Sequence, residues 1–146
     1  MIIAVDFDGT IVEHCYPEIG KEIPFATTTL KMLIADRHQL ILWTVRRGEL
    51  LQAAVDWCKE RGVEFYAVNK NFPEEVVEND GCYNKVNAEL FIDDRNLGGL
   101  PDWGVIYELV HRRMSYDSYL RSIGADHAPT KPQPRSLWHR LFSRNN

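Results

Sequence analysis

The sequence predicts an α/β protein built on a parallel sheet, and two observations indicate this fold. Short apolar runs rich in Ile, Val and Leu, typical of strands buried on both faces, recur along the chain. Between these runs lie stretches whose apolar residues recur at helical spacing. Strands separated by single helices favour a parallel sheet with right-handed crossover connections.

The first part of the chain predicts two strands and a helix. Residues 1–6 and residues 39–45 are apolar runs of strand length. Residues 8–10 (Asp-Gly-Thr) interrupt the first run with turn chemistry, and residues 11–23 look irregular. Pro24 suits the first position of a helix. The apolar stripe of this helix is formed by Leu30, Leu33 and Ile34.

The middle of the chain continues the alternation. Residues 48–61 have the pattern of an amphipathic helix, and residues 63–68 and 88–92 are apolar runs expected to form the third and fourth strands. Residues 69–84 show no clean period. They predict a loop with one short helix around residues 74–78.

The end of the chain is expected to add a fifth strand over residues 104–107 and a closing helix over residues 108–123. With 146 residues, 45% of them hydrophobic, the chain can bury one core, so we expect one domain over residues 1–126. Residues 127–146 are Pro-rich and hold four basic residues and no acid. This composition predicts a flexible tail.

Composition argues against several classes of protein. No apolar run approaches the roughly 20 residues of a membrane helix, and the N-terminus reaches Asp6 too early for a signal peptide. We therefore expect a cytoplasmic protein. Cys15, Cys58 and Cys82 are an odd set without a Cys-x-x-Cys pair, which favours neither a disulfide framework nor a zinc site. The net charge of −4 argues against nonspecific nucleic-acid binding.

Polar side chains follow three of the predicted strands. They are Asp6 and Asp8 after the first strand, Thr44 and Arg46 after the second, and Asp93 and Asp94 after the fourth. Because ligands of open α/β sheets bind at the carboxyl ends of strands, we expect the four carboxylates to converge there with Lys85. Such a cluster repels itself without a cation. Mg²⁺ fits best, since it binds one or two carboxylates alongside phosphate.

In this order, the residues resemble the four motifs of the haloacid dehalogenase-like (HAD) superfamily. The matching residues are Asp6-Phe7-Asp8-Gly9-Thr10, Thr44, Lys85 and Asp93-Asp94. The resemblance runs from residue 1 to about residue 107, and NKVNAELFIDDRNLGGLPDW also resembles small bacterial hydrolases of this kind. It implies a three-layer α/β/α Rossmann-like sheet and a magnesium-dependent phosphomonoesterase that forms an aspartyl-phosphate intermediate.

The resemblance also implies a role for each catalytic residue. Asp6 would be the nucleophile that attacks phosphorus. Asp8 would be the general acid and base, with its backbone carbonyl on the metal. Thr44 would donate a hydrogen bond to a phosphoryl oxygen. Lys85 would offset the negative charge on Asp6 and on the transferring group.

Metal and substrate ligands follow from the same resemblance. The metal set would be Asp6, Asp8, Asp93 and Asp94, with Asp94 acting directly or through water. The substrate-binding set would be Gly9, Thr10, Thr44 and Arg46.

Several alternatives remain open from the residues alone. Lys70, which follows the third strand, competes with Lys85 for the role of the motif lysine. Asp94 can instead form a salt bridge with Arg95 or Arg46. Arg46 can bind a substrate phosphate bidentately or be a solvated loop charge.

The gaps between the motifs are too short to house a cap domain, so the resemblance implies a capless member. Specificity would come from residues 11–23, from residues 69–84, from a neighbouring subunit of a homo-oligomer, or from a large substrate. A small-molecule phosphate ester is the expected substrate, and a larger phosphorylated molecule is the alternative. His14 lies near the expected pocket, where it either contacts substrate or is a surface histidine.

Two alternatives without turnover also remain. A receiver-like signalling module joins acids, Thr and Lys on a similar sheet, but its phosphorylated Asp follows the third strand, where this chain has Val68-Asn69-Lys70. A phosphate-sensing protein would use the same pocket for binding alone. The intact Asp6 and Asp8 pair favours the enzyme.

Overall fold

The computed structural model describes residues 1–76 and 86–125. These residues form the strands β1 (Ile2–Val5), β2 (Gln39–Leu42), β3 (Ala67–Val68) and β4 (Leu90–Ile92). They also form the helices α1 (Ala26–Ala35), α2 (Gly48–Glu60), α3 (Trp103–Arg112) and α4 (Tyr116–Ser122). The chain divides into two compact units, Met1–His111 and a second that begins at Arg112.

The strands form one parallel sheet in the order β3-β2-β1-β4. Val5, the last residue of β1, is in register with Leu42 on one side and Ile92 on the other. The predicted α/β fold with a parallel sheet is therefore confirmed. Because β1 lies between β2 and β4, the chain segments that follow these three strands leave the sheet side by side.

Two apolar clusters hold the sheet, and residues of β1 alternate between them as the strand period requires. Ile3 and Val5 belong to the larger cluster, and Ala4 belongs to the smaller one. The larger cluster includes buried helical side chains, namely Leu30 and Leu33 of α1, Ala54 and Cys58 of α2, and Trp103, Ile106 and Val110 of α3. Each large apolar side chain buried this way contributes about 1.5–3 kcal/mol. The smaller cluster is centred on Ala4, Ile41, Ala67 and Val86.

The strands and the two long helices predicted in the first 92 residues form, with shorter strands and one shifted start. Helix α1 begins at Ala26, two residues after Pro24. The intervening Phe25 has φ 68°, in the left-handed region, and this conformation separates Pro24 from the helix. The third predicted strand is reduced to Ala67–Val68, although Val63 is still buried.

The predicted fifth strand is wrong, because residues 104–107 lie inside α3. Val105 and Ile106 are β-branched, and such residues favour strands. However, Trp103, Ile106 and Val110 recur at helical spacing and are buried together. The carboxylate of Asp102 also accepts hydrogen bonds from the backbone N–H groups of residues 104 and 105, both at 3.0 Å, as a helix cap does.

The predicted closing helix over residues 108–123 is two helices. Arg113 has φ 50°, which ends α3, and Ser115 begins α4 by accepting a hydrogen bond from Ser118 N. The predicted short helix at residues 74–78 does not form over residues 74–76, and the rest of it lies outside the described residues. The tail, residues 127–146, lies outside them as well. Over the described ranges, none of the helices has the length and apolar character needed to cross a membrane.

Candidate active site

The strand ends bring three carboxylates together. Asp6 follows β1, and Asp93 and Asp94 follow β4; one oxygen from each lies within 4.8 Å of the other two. Backbone pairing continues past the strands at this edge, since Asp6 N donates to Ile92 O at 3.0 Å. The expected convergence of acids therefore holds for these three, which we call the carboxylate cluster.

The charge on Asp6 is disfavoured by its surroundings. Burial raises the pKa of Asp6 from 3.8 to about 7, and the neighbouring charges of Asp93, Asp94 and Asp8 act in the same direction. A hydrogen bond from the backbone of Phe7 acts in the opposite direction. Placing three ionised carboxylates this close together is unfavourable, and a bound cation would offset the repulsion between them.

The position of Asp94 is fixed by the turn after β1. Asp94 N donates to the Thr10 hydroxyl at 3.0 Å. Gly9 has φ 87°, and a Cβ there would collide with the Asp94 carboxylate, 2.7 Å from Cγ. Neither Gly9 nor Thr10 lines the cavity beside the cluster, and Thr10 is fully buried. Both residues, expected to bind substrate, instead position Asp94.

The donor set fits a hard divalent cation. Asp94 Oδ1 is buried and has no hydrogen-bond partner among the residues that the structure describes. Buried polar atoms rarely stay unsatisfied, and an unpartnered carboxylate oxygen beside two other carboxylates is a suitable ligand for Mg²⁺. The alternative of a salt bridge between Asp94 and Arg95 or Arg46 is not formed in the described part of the chain.

Asp8 differs from the expectation that its carboxylate would join the cluster. Its two oxygens accept hydrogen bonds from Arg46, Oδ2 from Nε at 2.6 Å and Oδ1 from Nη2 at 2.7 Å. The side chain of Arg46 is fully buried and that of Asp8 is only 6% exposed. This bidentate pair holds the Asp8 carboxylate away from the other three acids.

Arg46 also holds the segment between β1 and α1. This segment, residues 11–23, is the flap; Glu13 N donates to Lys21 O at 2.8 Å across it. Arg46 Nη1 donates to Pro17 O at 2.9 Å, and Nη2 donates to Glu18 O at 2.8 Å. Arg46 is therefore not a solvated loop charge, and it does not line the cavity as a phosphate ligand would.

Thr44 is oriented by a residue that the sequence patterns did not indicate. Asn69, which follows β3, accepts from Thr44 N at 2.8 Å and donates to Thr44 O at 2.9 Å. Arg46 N donates to the Thr44 hydroxyl oxygen at 3.3 Å, which leaves the hydroxyl proton available to another acceptor. Asn69 has φ 52°, and the tolerance of Asn for left-handed backbone was the available signal.

The two candidate lysines have different outcomes. Lys85 lies outside the described residues. Lys70 Nζ donates to the backbone oxygen of Pro73, and Lys70 does not line the cavity. The structure therefore does not bring Lys70 to the carboxylate cluster.

A cavity of about 320 Å³ opens beside the carboxylate cluster. Its polar lining includes Asp6, Asp8, Asp93 and Thr44. The other lining residues are His14 and Tyr16 from the flap, Trp43 and Val45 on either side of Thr44, and Arg95 after β4. His14 is thus exposed and also lines the cavity. Trp43 is partly buried against the smaller apolar cluster and lines the cavity too.

Fold and site together define a parallel α/β protein with an acidic cluster and a cavity at the carboxyl edge of its sheet. No family model matches the chain, and no curated protein matches it at a significant level. Among solved structures, the chain is similar to a conserved protein from Bacteroides thetaiotaomicron, with 59% identity and a TM-score of 0.75. The match covers 82% of this chain and 96% of that one, so the chain belongs to the same family as the Bacteroides protein.

Proposed function

We propose that the protein is a magnesium-dependent phosphomonoesterase that forms an aspartyl-phosphate on Asp6. The observation that carries this proposal is the carboxylate cluster of Asp6, Asp93 and Asp94, which includes a buried oxygen without a partner among the described residues. A phosphoryl-transfer site needs such a cation site next to a nucleophile and a hydrogen-bond donor. Asp6 and Thr44 line the same cavity and supply these two groups.

The cation would be held by Asp6, Asp93 and Asp94. When bound, Mg²⁺ would neutralise these carboxylates and offset charge on the phosphoryl group. Asp6 has two oxygens and can serve the cation with one and phosphorus with the other. The role of Lys85 as a further positive group stays a prediction.

Each step is assigned to a residue of this chain. An oxygen of Asp6 attacks phosphorus, the bond from phosphorus to the ester oxygen breaks, and Asp8 gives a proton to the departing alcohol. Water then attacks the same phosphorus and gives its proton to Asp8. The bond between phosphorus and Asp6 breaks, and inorganic phosphate leaves. The Thr44 hydroxyl donates to a phosphoryl oxygen throughout.

The pair between Asp8 and Arg46 sets a condition on this mechanism. Both oxygens of Asp8 accept from Arg46, at 2.6 and 2.7 Å. One of these two hydrogen bonds must open before Asp8 can reach the departing alcohol. The remaining bond would keep the carboxylate oriented toward the cavity.

The finer fold prediction belongs to the same proposal. A three-layer, Rossmann-like core of the HAD type, without a cap domain, agrees with the strand order β3-β2-β1-β4 and with the short flap between β1 and α1. The flap, or a second copy of the chain, would then shield the reaction from water. The cavity size favours a small phosphate ester, and the cytoplasmic location remains a prediction.

The test is phosphate release from phenyl phosphate by purified protein, with and without Mg²⁺. We expect turnover with Mg²⁺, none with a chelator, and none in Asp6→Asn, because an amide cannot act as the nucleophile. Asp56→Asn changes an exposed acid of α2 in the same way and should keep wild-type activity. Full activity in Asp6→Asn would refute the mechanism.

A phosphate-sensing protein is the second candidate, and one observation favours it. Both oxygens of Asp8 already accept hydrogen bonds from the fully buried Arg46, so the carboxylate is better placed to orient Arg46 than to give a proton to an alcohol. Such a protein would bind inorganic phosphate with Mg²⁺ but release none from any ester. The receiver-like alternative has less support, since Asn69 stands where a receiver has its phosphorylated acid.

A further inference from the structure

The cavity next to the carboxylate cluster has walls that the phosphoryl chemistry does not use. We propose that it binds phosphate monoesters whose alcohol is a flat, mainly apolar group, an aryl or heteroaryl alcohol. The proposal rests on the proposed function for the place of the phosphate. The proposal adds the alcohol part of the ester, which the cavity residues not used in phosphoryl transfer would contact.

Three of the lining side chains are apolar or aromatic and partly exposed. Val45 is 68% exposed and Tyr16 is 50% exposed, although Thr44 and Arg46 on either side of Val45 are buried. Trp43 lies one residue before Thr44 and lines the same cavity. Apolar surface left in water next to a site is a common mark of a ligand contact.

The chemistry of these walls discriminates between alcohols. The hydroxyl groups of a polyol or sugar would lose water against Val45 and against the ring surfaces of Tyr16 and Trp43, which offer fewer hydrogen bonds than water does. A flat apolar ring would instead bury its surface there and stack on an aromatic face. The acids of the cavity are already assigned to the cation and to proton transfer.

The aromatic wall contributed by the flap is held in place before any ligand arrives. The guanidinium carbon of Arg46 lies 5.3 Å from the centre of the Tyr16 ring, within cation–π distance. The same guanidinium restrains the flap backbone, because it donates to Pro17 O and Glu18 O. A wall that is already ordered loses little entropy when a ligand binds.

The size of the cavity limits the ligand. A volume of about 320 Å³ lies at the lower end of the range for small-molecule sites. It suits one ring system with its phosphate. A phosphorylated polymer would have most of its contacts outside this cavity.

The experiment compares two phosphonates that cannot be hydrolysed, phenylphosphonate and methylphosphonate, by calorimetric titration in the presence of Mg²⁺. Both ligands carry the same anionic group, so the ratio of their affinities isolates the contribution of the ring to binding. We expect phenylphosphonate to bind about tenfold more tightly to the wild type. This preference should fall to about threefold or less in Tyr16→Ala and in Val45→Asn.

Two controls separate the wall from the fold. Tyr16→Phe keeps the ring and should keep the preference. Met32→Asn makes a matched apolar-to-amide change at an exposed residue in the second half of α1, which leads to the start of β2 and not to the carboxyl edge of the sheet. This variant should also keep the preference for phenylphosphonate. Because Val45 is largely exposed, Val45→Asn is expected to fold even if Tyr16→Ala disturbs Arg46.

The results distinguish this inference from the proposed function. Equal affinity for the two phosphonates, no binding of either, or a preference unchanged in both Tyr16→Ala and Val45→Asn would overturn the inference. Hydrolysis of phenyl phosphate that depends on Asp6 would leave the proposed function standing in each of those cases. A ring preference without hydrolysis would support the binding inference and refute the enzyme. A phosphotyrosine peptide hydrolysed more than tenfold faster than phenyl phosphate would overturn the small-molecule assignment.

Discussion

At the scale of single residues, the behaviour of the site depends on how Asp6 is charged. Its pKa is raised to about 7 by burial and by the acids around it. An acid with a raised pKa stabilises the fold while it is protonated, so its contribution is fully present below pH 3.8 and is lost as the pH rises through about 7. The metal-free protein therefore loses stability from this group between about pH 4 and pH 7.

The raised pKa of Asp6 predicts that Asp6→Asn stabilises the metal-free protein, and more so at pH 8 than at pH 5. An amide does not ionise, so the variant avoids the loss that the wild type undergoes. Thermal unfolding in a chelator at the two pH values measures the difference in stability between Asp6→Asn and the wild type, with Asp56→Asn as the matched control. Mg²⁺ should raise the melting temperature of the wild type more than that of Asp6→Asn. A variant that is destabilised equally at both pH values would contradict this role for burial at Asp6.

A second prediction at this scale concerns Gly9. Its positive φ and its contact with the Asp94 carboxylate both exclude a side chain. Gly9→Ala should lower the free energy of unfolding by about 1–3 kcal/mol and reduce kcat/KM at least tenfold, because Asp94 must move. Gly98→Ala is the matched control: φ there is 102°, but nothing lies within 4 Å of the added Cβ. Gly98→Ala should lose stability through backbone strain and keep its activity.

If Gly98→Ala lost as much activity as Gly9→Ala, backbone strain alone would explain both variants. The close approach of Gly9 to Asp94 would then have no separate effect on activity. Unfolding in urea and steady-state kinetics on the same preparations decide between the two.

At the scale of elements, Arg46 joins the segment after β2 to the turn after β1 and to the flap. Arg46→Met should lower the free energy of unfolding by about 3–5 kcal/mol, because it leaves the Asp8 carboxylate buried without its partner. Arg37→Met changes an exposed arginine after α1 in the same way and should alter stability little. Urea unfolding measures both.

The double variant Asp8→Asn with Arg46→Met checks the cause. The double variant should lose less free energy of unfolding than the two single variants lose in sum, because each single variant already breaks the same pair. Additive effects would mean that the two residues do not stabilise each other.

Much of this element-level arrangement followed from local patterns. Apolar strand runs predicted β1, β2 and β4, and helical spacing predicted α1 and α2. The turn chemistry of residues 8–10 marked the strand end that carries Asp6. Residues 104–107 contain the β-branched Val105 and Ile106, which favour a strand. The helical spacing of Trp103, Ile106 and Val110 and the cap at Asp102 favour the helix that forms.

The unpredicted part of the site consists of pairings between distant residues. Asp8 and Arg46 are 38 positions apart, and Thr44 and Asn69 are 25 apart. Arg46 is buried and the adjacent Arg47 is exposed, although both are arginines in the same segment. The local sequence therefore does not indicate which of the two is buried. The role of Arg46 depends on which strands become neighbours, and the sheet order decides that.

At the scale of the whole molecule, the sheet order makes the site. With β1 between β2 and β4, Asp6 and Asp93 meet at one edge although they lie near opposite ends of the sheet-forming part of the chain. The 59% identity to the Bacteroides thetaiotaomicron protein over 96% of its length makes that protein a second subject for the same tests. The central claim is that the carboxylate cluster is a cation site.

The most direct test is a crystal structure of the protein grown with Mn²⁺, in which the anomalous signal locates the ion. We expect one strong peak within about 2.1–2.3 Å of carboxylate oxygens of Asp6, Asp93 and Asp94, and its loss in Asp93→Asn with Asp94→Asn. A peak elsewhere, or none at the cluster under saturating Mn²⁺, would contradict the assignment of a cation site.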